Sequence, residues 1–527
     1  MNPRLRLWAI TCSLAGFIFG FDLIVISGAE KTIQGLWQLS SHQHGTAISA
    51  AFWGTVLGAL FGGVPTARFG RKKTLIAIGL LYLISALGSA MAQGLPSFVS
   101  ARFLGGIGVG IATVAAPLFI SEISPADRRG RLTGLFQFNI VFGILIAFIS
   151  NAVIAATMGD VAWRWMLGIE AIPALIYGIL CFSLPESPRW LISRGRVEEG
   201  KAILAQINPE LSKTELEELT EGIEHSAKVA PSKGSFSWSR LKTPLLIAFL
   251  IAFFNQLSGI NAIITFAPRI FAMTGLGESA ALLQSAGIGV INLTFTLLGL
   301  WLIDRWGRRK LLIIGSWGYI VSLALCAWAF LAFAAPFQVG SSAIKVQKLN
   351  KQTQRSDIQL TEITQARNEL EEAKSDLVVL SSPLNYPGSS VEFPEDPSPE
   401  EIDTITAQAI ADAGKQSGSG GLIVMICIFA FIAAHAIGQG TVIWVMISEV
   451  FPPKVRALGT SFGCATHWVC AALLTYFFPL AMEHFSPGTI FGFFCFMMVL
   501  QLLWVKFMVP ETKGVSLEEM EDALATK

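Results

Sequence analysis

Two charged residues stand where hydrocarbon is expected. Asp22 lies inside the first apolar run, in Phe19-Gly20-Phe21-Asp22, and Arg102 opens the fourth, in Ala101-Arg102-Phe103-Leu104-Gly105. A charge at the centre of a membrane helix costs about 2.5–3.5 kcal/mol on insertion scales, so such residues mark proton, ion or substrate paths. Pairing offsets the cost of both. Protonating Asp22 would remove the attraction and release Arg102, which lets a proton bias a conformational equilibrium. The plainer alternatives are a static structural pair, or an aspartate close to a helix end.

A second set is polar and uncharged: Gln137 in the fifth apolar run, Asn255, Gln256 and Asn261 in the seventh, and Asn292 in the eighth. Amides supply donors and acceptors together, which suits a neutral polyhydroxyl ligand. Each alone is more commonly bonded to a neighbouring helix. Their concentration around Gly259 and Pro268 favours a ligand, because broken helices line transport sites. Trp444 and Trp468 offer faces for a sugar ring, although a lone Trp more often packs. A third set, Arg68, Arg71, Glu122, Arg129, Glu186 and Arg189 with Asp304, Arg305, Arg308, Glu449, Arg456 and Glu511, sits in polar segments and can bridge helix ends to hold a gate shut. Taken singly, such surface pairs contribute little.

The elements that position these groups are membrane helices. Of 527 residues, 53% are hydrophobic and only 14% charged, against roughly 25% charged in soluble chains. Twelve apolar segments are expected at roughly 7-29, 46-66, 74-93, 97-119, 132-155, 165-183, 243-272, 280-303, 311-335, 421-447, 457-480 and 488-508. All seven cysteines fall within them, so neither a disulfide framework nor a metal site is indicated. The net charge of +1 gives no reason to expect nucleic acid as a partner. Arg4, Arg6, Arg68, Arg71, Lys72, Lys73, Arg128, Arg129, Arg131, Arg305, Arg308, Arg309, Lys310, Lys454 and Arg456 all fall on one side of twelve spans. The positive-inside rule makes that side, and both termini, cytoplasmic.

The halves repeat. Arg68-Phe69-Gly70-Arg71-Lys72-Lys73 returns as Arg305-Trp306-Gly307-Arg308-Arg309-Lys310, Ser121-Glu122 as Ser448-Glu449, and Pro185-Glu186-Ser187 as Pro510-Glu511-Thr512. The first pair is offset by 237 residues (305 − 68) and the others by 327 (448 − 121) and 325 (510 − 185), so about 90 extra residues lie between Lys310 and Ser448. The polar stretch 337-420 accounts for them. It holds 13 acidic and 7 basic residues and joins helices nine and ten, which places it outside. Ile363, Ala366, Leu370, Ala373 and Leu377 follow helical spacing. The favoured reading is a solvated helix on a tether, with 415–420 as a hinge; a packed domain is the alternative. The expected organisation is thus a six-helix bundle over 1-183, a cytosolic helical linker over 184-242, a second bundle over 243-508 interrupted by 337-420, and a tail over 509-527.

These phrases resemble the sugar porter family of the major facilitator superfamily. The resemblance spans nearly the whole chain outside 337-420. It rests on Gly62-Gly63 through Arg68-Phe69-Gly70-Arg71-Lys72, Pro125 to Gly130, Pro185 to Leu191, Gln256-Leu257-Ser258-Gly259-Ile260-Asn261, Asp304 to Arg309 and Pro510 to Gly514. It implies an all-α membrane fold of two six-helix bundles rocking around a central sugar. It also implies a proton-coupling role for Asp22 and Arg102, and sugar contacts at Gln137, Gln256, Asn261 and Asn292, with Phe19 near the coupling site. No cofactor is implied. Departures include Ala67 where an aspartate is usual (Asp304 keeps it in the second half), Asn255 for a glutamine, Thr265 and Phe266 for tyrosines, Thr441 for a proline and Gln439 for an aromatic residue. His467 and Ala471 stand where asparagines are expected. Gln439, His467 and the tryptophans join the expected substrate set, and the sugar or polyol is expected to be an unusual one.

The leading expectation is a proton-coupled importer of a monosaccharide or polyol in a bacterial-type inner membrane, working as a monomer. A facilitative uniporter is the alternative. A nutrient sensor, with 337-420 meeting an external partner, is disfavoured because about 19 residues follow the twelfth helix. No nucleotide loop, metal cluster or nucleophile–base pair points to an enzyme.

Overall fold

The computed structural model describes residues 3–125, 129–228, 238–354, 360–452 and 455–513. Twelve helices are long and apolar enough to cross a membrane. The first six are Arg4–Leu36, Ser41–Phe61, Arg71–Ala90, Leu95–Ile123, Leu132–Thr157 and Gly159–Cys181. Helices seven to twelve are Leu241–Thr265, Ser279–Trp306, Arg308–Ala332, Gly420–Glu449, Leu458–His484 and Pro487–Met508. At 1.5 Å per residue, even the shortest reaches across ~30 Å of hydrocarbon. Among the described residues there is no strand.

Within the first half, helix two packs on four and helix one on five; within the second, helix nine packs on ten and twelve. The halves meet along two seams, helix two against helix eleven and helix five against helix eight. Three of the membrane helices are interrupted along their length. Helix seven breaks at Gly259, whose φ of +87° ends one segment before Ile260–Thr265 and Ala267–Ala272 begin. Helix ten breaks at Gly438, and helix six between Gly168 and Ala171, at Glu170. Each break frees backbone groups and turns side chains inward, which lipid tolerates only where protein surrounds them. In the linker, Pro188–Ser193, Val197–Ile207 and Lys213–Lys228 are helical.

The outer segment is not a tethered helix. Ala334–Thr353 continues helix nine almost without pause, Leu360–Leu380 folds back along it, and Pro399–Ser417 runs directly into helix ten. Val339, Ala343, Val346 and Leu349 face Leu370, Ala373, Leu377, Ile402 and Ala409 in a core of their own. Leu370, Ala373 and Leu377, three of the five residues that suggested one amphipathic helix, are one side of that core. Two further amphipathic faces, on the helices flanking it, complete it. The expected hinge is helical up to Ser417, and only the two-residue turn of Gly418, at φ +51°, and Ser419 departs.

Candidate functional site

Asp22 and Arg102 meet in the interior of the first half. Arg102 Nη1 donates to Asp22 Oδ1 at 2.5 Å, and Nη2 donates to the Asp22 carbonyl at 2.9 Å. Asp22 is wholly buried and Arg102 is 3% exposed. Helix four can bring the guanidinium there because Gly105, one turn on, leaves room beside Ser85 and Asp22. A third charged group completes the cluster. Glu170, at the break in helix six, is 1% exposed and lies close enough to Asp22 and Arg102 to interact electrostatically with both. Neither Glu170 oxygen nor Asp22 Oδ2 has a hydrogen-bond donor. Two carboxyl groups that interact are satisfied when a proton sits between them or a cation lies beside them. Arg102 is the cation. The sequence carried the signal for Glu170: it lies inside the sixth apolar run, as Asp22 lies inside the first.

The amides of helix seven converge on helix eleven. Gln256 Nε2 is 3.0 Å from His467 Nε2 and 3.3 Å from Asn255 Oδ1, and Gln256 Oε1 accepts from Asn261 Nδ2 at 2.8 Å. His467 is held between two indoles, 4.8 Å from Trp444 and 4.9 Å from Trp468, centroid to centroid. Trp468 then crosses to the other half, packing 5.7 Å from Phe19 and 6.3 Å from Phe52. The result is a strip of amide and imidazole groups edged by aromatic rings, fed by both halves. That combination fits a sugar, with hydroxyls for the amides and C–H faces for the rings. Asn292 stands apart on helix eight, accepting from Thr296 at 3.4 Å. Gln137 is half-buried. Gln439 is fully buried with neither end of its amide partnered by protein.

The repeated basic phrases build the same device twice. Glu186 accepts from the backbone N–H of Arg71 at 2.8 Å and of Lys72 at 3.3 Å, capping helix three. Glu511 does the same for Arg308 and Arg309, at 2.9 and 3.1 Å, capping helix nine. A carboxylate at a helix N-terminus satisfies orphan donors and opposes the helix dipole. Each arginine then forks onto a second carboxylate: Arg71 Nε and Nη2 to Glu122 at 2.9 and 2.7 Å, Arg308 Nε and Nη2 to Glu449 at 3.2 and 2.9 Å. All these bonds run within a half. These bonds join helix ends inside each bundle and tie the short loops to the helices beside them; none of the four carboxylate–arginine contacts crosses between the bundles.

Other members of that set lie outside the device. Arg68 and Arg305 rest over Phe69 and Trp301, and Arg189 is exposed. Arg456 donates only weakly to the Phe451 carbonyl, at 3.4 Å. The Arg129 side chain lies outside the described residues. The expected asymmetry between Ala67 and Asp304 is also small: Asp304 is 83% exposed and 3.5 Å from Arg308, while the Ala67 carbonyl accepts from Trp190 and Arg194.

Gly70 and Gly307 make the device possible. Their φ values are +93° and +83°, and a Cβ would stand 2.3 Å from the Glu186 carboxylate or 2.5 Å from that of Glu511. Gly307→Ala is expected to destabilise the protein by about 1–3 kcal/mol, read as a fall in the thermal unfolding midpoint in detergent. An unchanged midpoint would remove the cap from the account.

The comparisons with known proteins agree with this geometry. The family model described as "Sugar (and other) transporter" matches residues 8–346 and 404–524, leaving out much of the outer segment. A D-xylose transporter of Levilactobacillus brevis is 30% identical over 519 residues, covering 98% of this chain and 94% of that protein. The arabinose-proton symporter of Bacillus subtilis is 30% identical over 522 residues, covering 97% and 94%. Among solved structures, the inward open conformation of the xylose transporter XylE from E. coli superposes with a TM-score of 0.72 at 26% identity, covering 98% of this chain and 99% of that one. The chain therefore belongs to the sugar transporter family of the major facilitator superfamily, a family of multi-pass membrane transporters rather than enzymes.

Proposed function

We propose that the protein imports a monosaccharide or polyol together with a proton, by alternating access between its two bundles. The observation that carries this reading is the buried Asp22–Arg102 pair with Glu170 close by. While Asp22 is ionised, Arg102 is held by its carboxylate. A proton arriving at Asp22 ends that attraction, and Glu170 gives it a second acceptor within reach. Arg102 is then free to exchange partners, and the balance between conformations shifts by as much as the proton prefers one of them. Relatives named as a D-xylose transporter and an arabinose-proton symporter support a pentose, hexose or polyol as cargo. The one-sided distribution of basic loops supports a topology with both termini in the cytoplasm of a bacterial-type inner membrane and 337-420 outside, with one chain as the working unit.

Proton entry with the sugar is the test. Adding D-xylose or arabinose to weakly buffered proteoliposomes is expected to make the outside medium more alkaline, at a rate that follows sugar entry. Entry of sugar with no change in external pH would leave only the uniport reading.

The outer domain is separable from transport in this account. Gly340 and Ala413 adjoin across its base, a Cβ on Gly340 lying 3.4 Å from that of Ala413. Removing 341–412 and joining these ends by a short Gly/Ser turn is expected to leave membrane yield and sugar uptake within about twofold of native, because the deleted core is its own. Lost uptake at normal yield would show that the domain takes part in transport.

A further inference from the structure

Four polar side chains gather where the two halves meet, on the face opposite the basic loops: Glu30 and His44 are buried, Gln34 and Arg269 half-buried. Glu30 is near the end of helix one and 1% exposed, and His44 is in the first turn of helix two. Arg269 comes from the other half, in the last segment of helix seven, Ala267–Ala272. Its Nε and Nη2 donate to the two Glu30 oxygens at 3.0 and 2.7 Å, and Nη2 also reaches Gln34 Oε1 at 2.5 Å. His44 Nε2 lies 3.0 Å from Glu30 Oε2, and the imidazole ring stands edge-on to Phe266 of helix seven. Phe266 in turn packs on Phe478 of helix eleven, 4.8 Å between centroids. The cluster is thus a fork between bundles, roofed by aromatic rings and separate from the Asp22 site.

We propose that Glu30, Gln34, His44 and Arg269 form an ionic latch that holds the extracytoplasmic gate shut and must part each time the site opens outward. The proposal rests on the alternating-access reading and adds to it the groups that close one gate. The physical case is the contrast between the two arrangements. Closed, Glu30 has a bidentate cation and an imidazole, so a carboxylate taken out of water keeps its partners. Open, the two halves separate, and water replaces those partners. Both arrangements satisfy the charges, as a switch requires. Removing one partner changes that: without Arg269, the buried Glu30 carboxylate keeps only the imidazole beside it when the gate is closed but is hydrated when it opens, and without Glu30 the half-buried Arg269 keeps only Gln34. Single neutralisation should therefore open the gate, and neutralising both partners should return it toward closure.

The experiment measures distance between spin labels at Thr46, on helix two, and Glu483, at the end of helix eleven. Both side chains are exposed. The protein is held in nanodiscs, its seven native cysteines replaced by alanine. Arg269→Gln, which strands the buried Glu30, is expected to raise the ratio of long to short distances by at least about tenfold, and Glu30→Gln, which strands a half-buried arginine, to raise it by less. The double variant should lie closer to the unsubstituted protein than either single one, and Arg269→Lys, which keeps the charge, should shift the ratio least. Single variants that fold, by monodisperse elution, and leave the distance distribution unchanged would overturn the latch. So would a double variant more open than both singles. An unsubstituted protein that shows no second distance population, with or without D-xylose or arabinose, would overturn alternating access itself, and the latch with it.

Discussion

Asp22→Asn is expected to lose sugar accumulation driven by a pH gradient and to keep sugar exchange at zero gradient. Asparagine has nearly the shape of aspartate, and its carbonyl can still accept from Arg102 Nη1, which now stands 2.5 Å from Asp22 Oδ1. What it lacks is the charge that a proton could cancel. The magnitude follows from the driving force. One pH unit is worth about 1.4 kcal/mol per proton, enough for roughly tenfold accumulation at one proton per sugar. In proteoliposomes with an interior one unit more alkaline, the native protein should approach that ratio, and the variant should stay near unity. Counterflow of labelled against unlabelled sugar separates lost coupling from lost folding. If the variant accumulates sugar as well as the native protein does, the coupling proton is carried elsewhere.

The second large effect is expected at Gln256. Its amide is fully buried and has partners at both ends: Asn261 donates to its oxygen, while Asn255 and His467 face its nitrogen. A sugar hydroxyl entering this strip exchanges one of these bonds for another, so the network is pre-arranged to receive it. Gln256→Ala removes a donor and an acceptor and leaves Asn261 and His467 short of partners. A lost bond together with an unsatisfied buried group amounts to about 2–3 kcal/mol, or roughly 30- to 150-fold in affinity. Equilibrium binding of labelled sugar to the purified protein reads this directly, whereas uptake alone mixes binding with the conformational cycle. The number of protons per sugar should not change. Affinity within twofold of native would move the sugar away from this strip.

The sequence and the structure part company in instructive places. Long apolar runs separated by basic loops made all twelve helices legible, because hydrocarbon leaves the backbone no other choice. The pairing of Asp22 with Arg102 followed from cost alone: each needs a partner. Glu170 escaped although the same argument covers it. Glu30 and Arg269 escaped for a different reason. They fall at the ends of apolar runs, where a charge normally snorkels to water, and only the approach of the two halves shows that they are covered. The repeated Gly-Arg and Pro-Glu phrases were legible as repeats, but not as parts of one cap. They are separated by 115 residues in the first half and 203 in the second, and spacing says nothing about contacts at that range. The outer domain was misread because each of its helices has one apolar face, and one such face taken alone reads as a solvated helix.

The central claim, that sugar movement is tied to a proton gradient, is tested most directly with the native protein in proteoliposomes loaded to be alkaline inside. Labelled D-xylose or arabinose should accumulate above the external concentration, and the accumulation should collapse when a protonophore is added. Equal uptake with and without the gradient, levelling off at the external concentration, would contradict it.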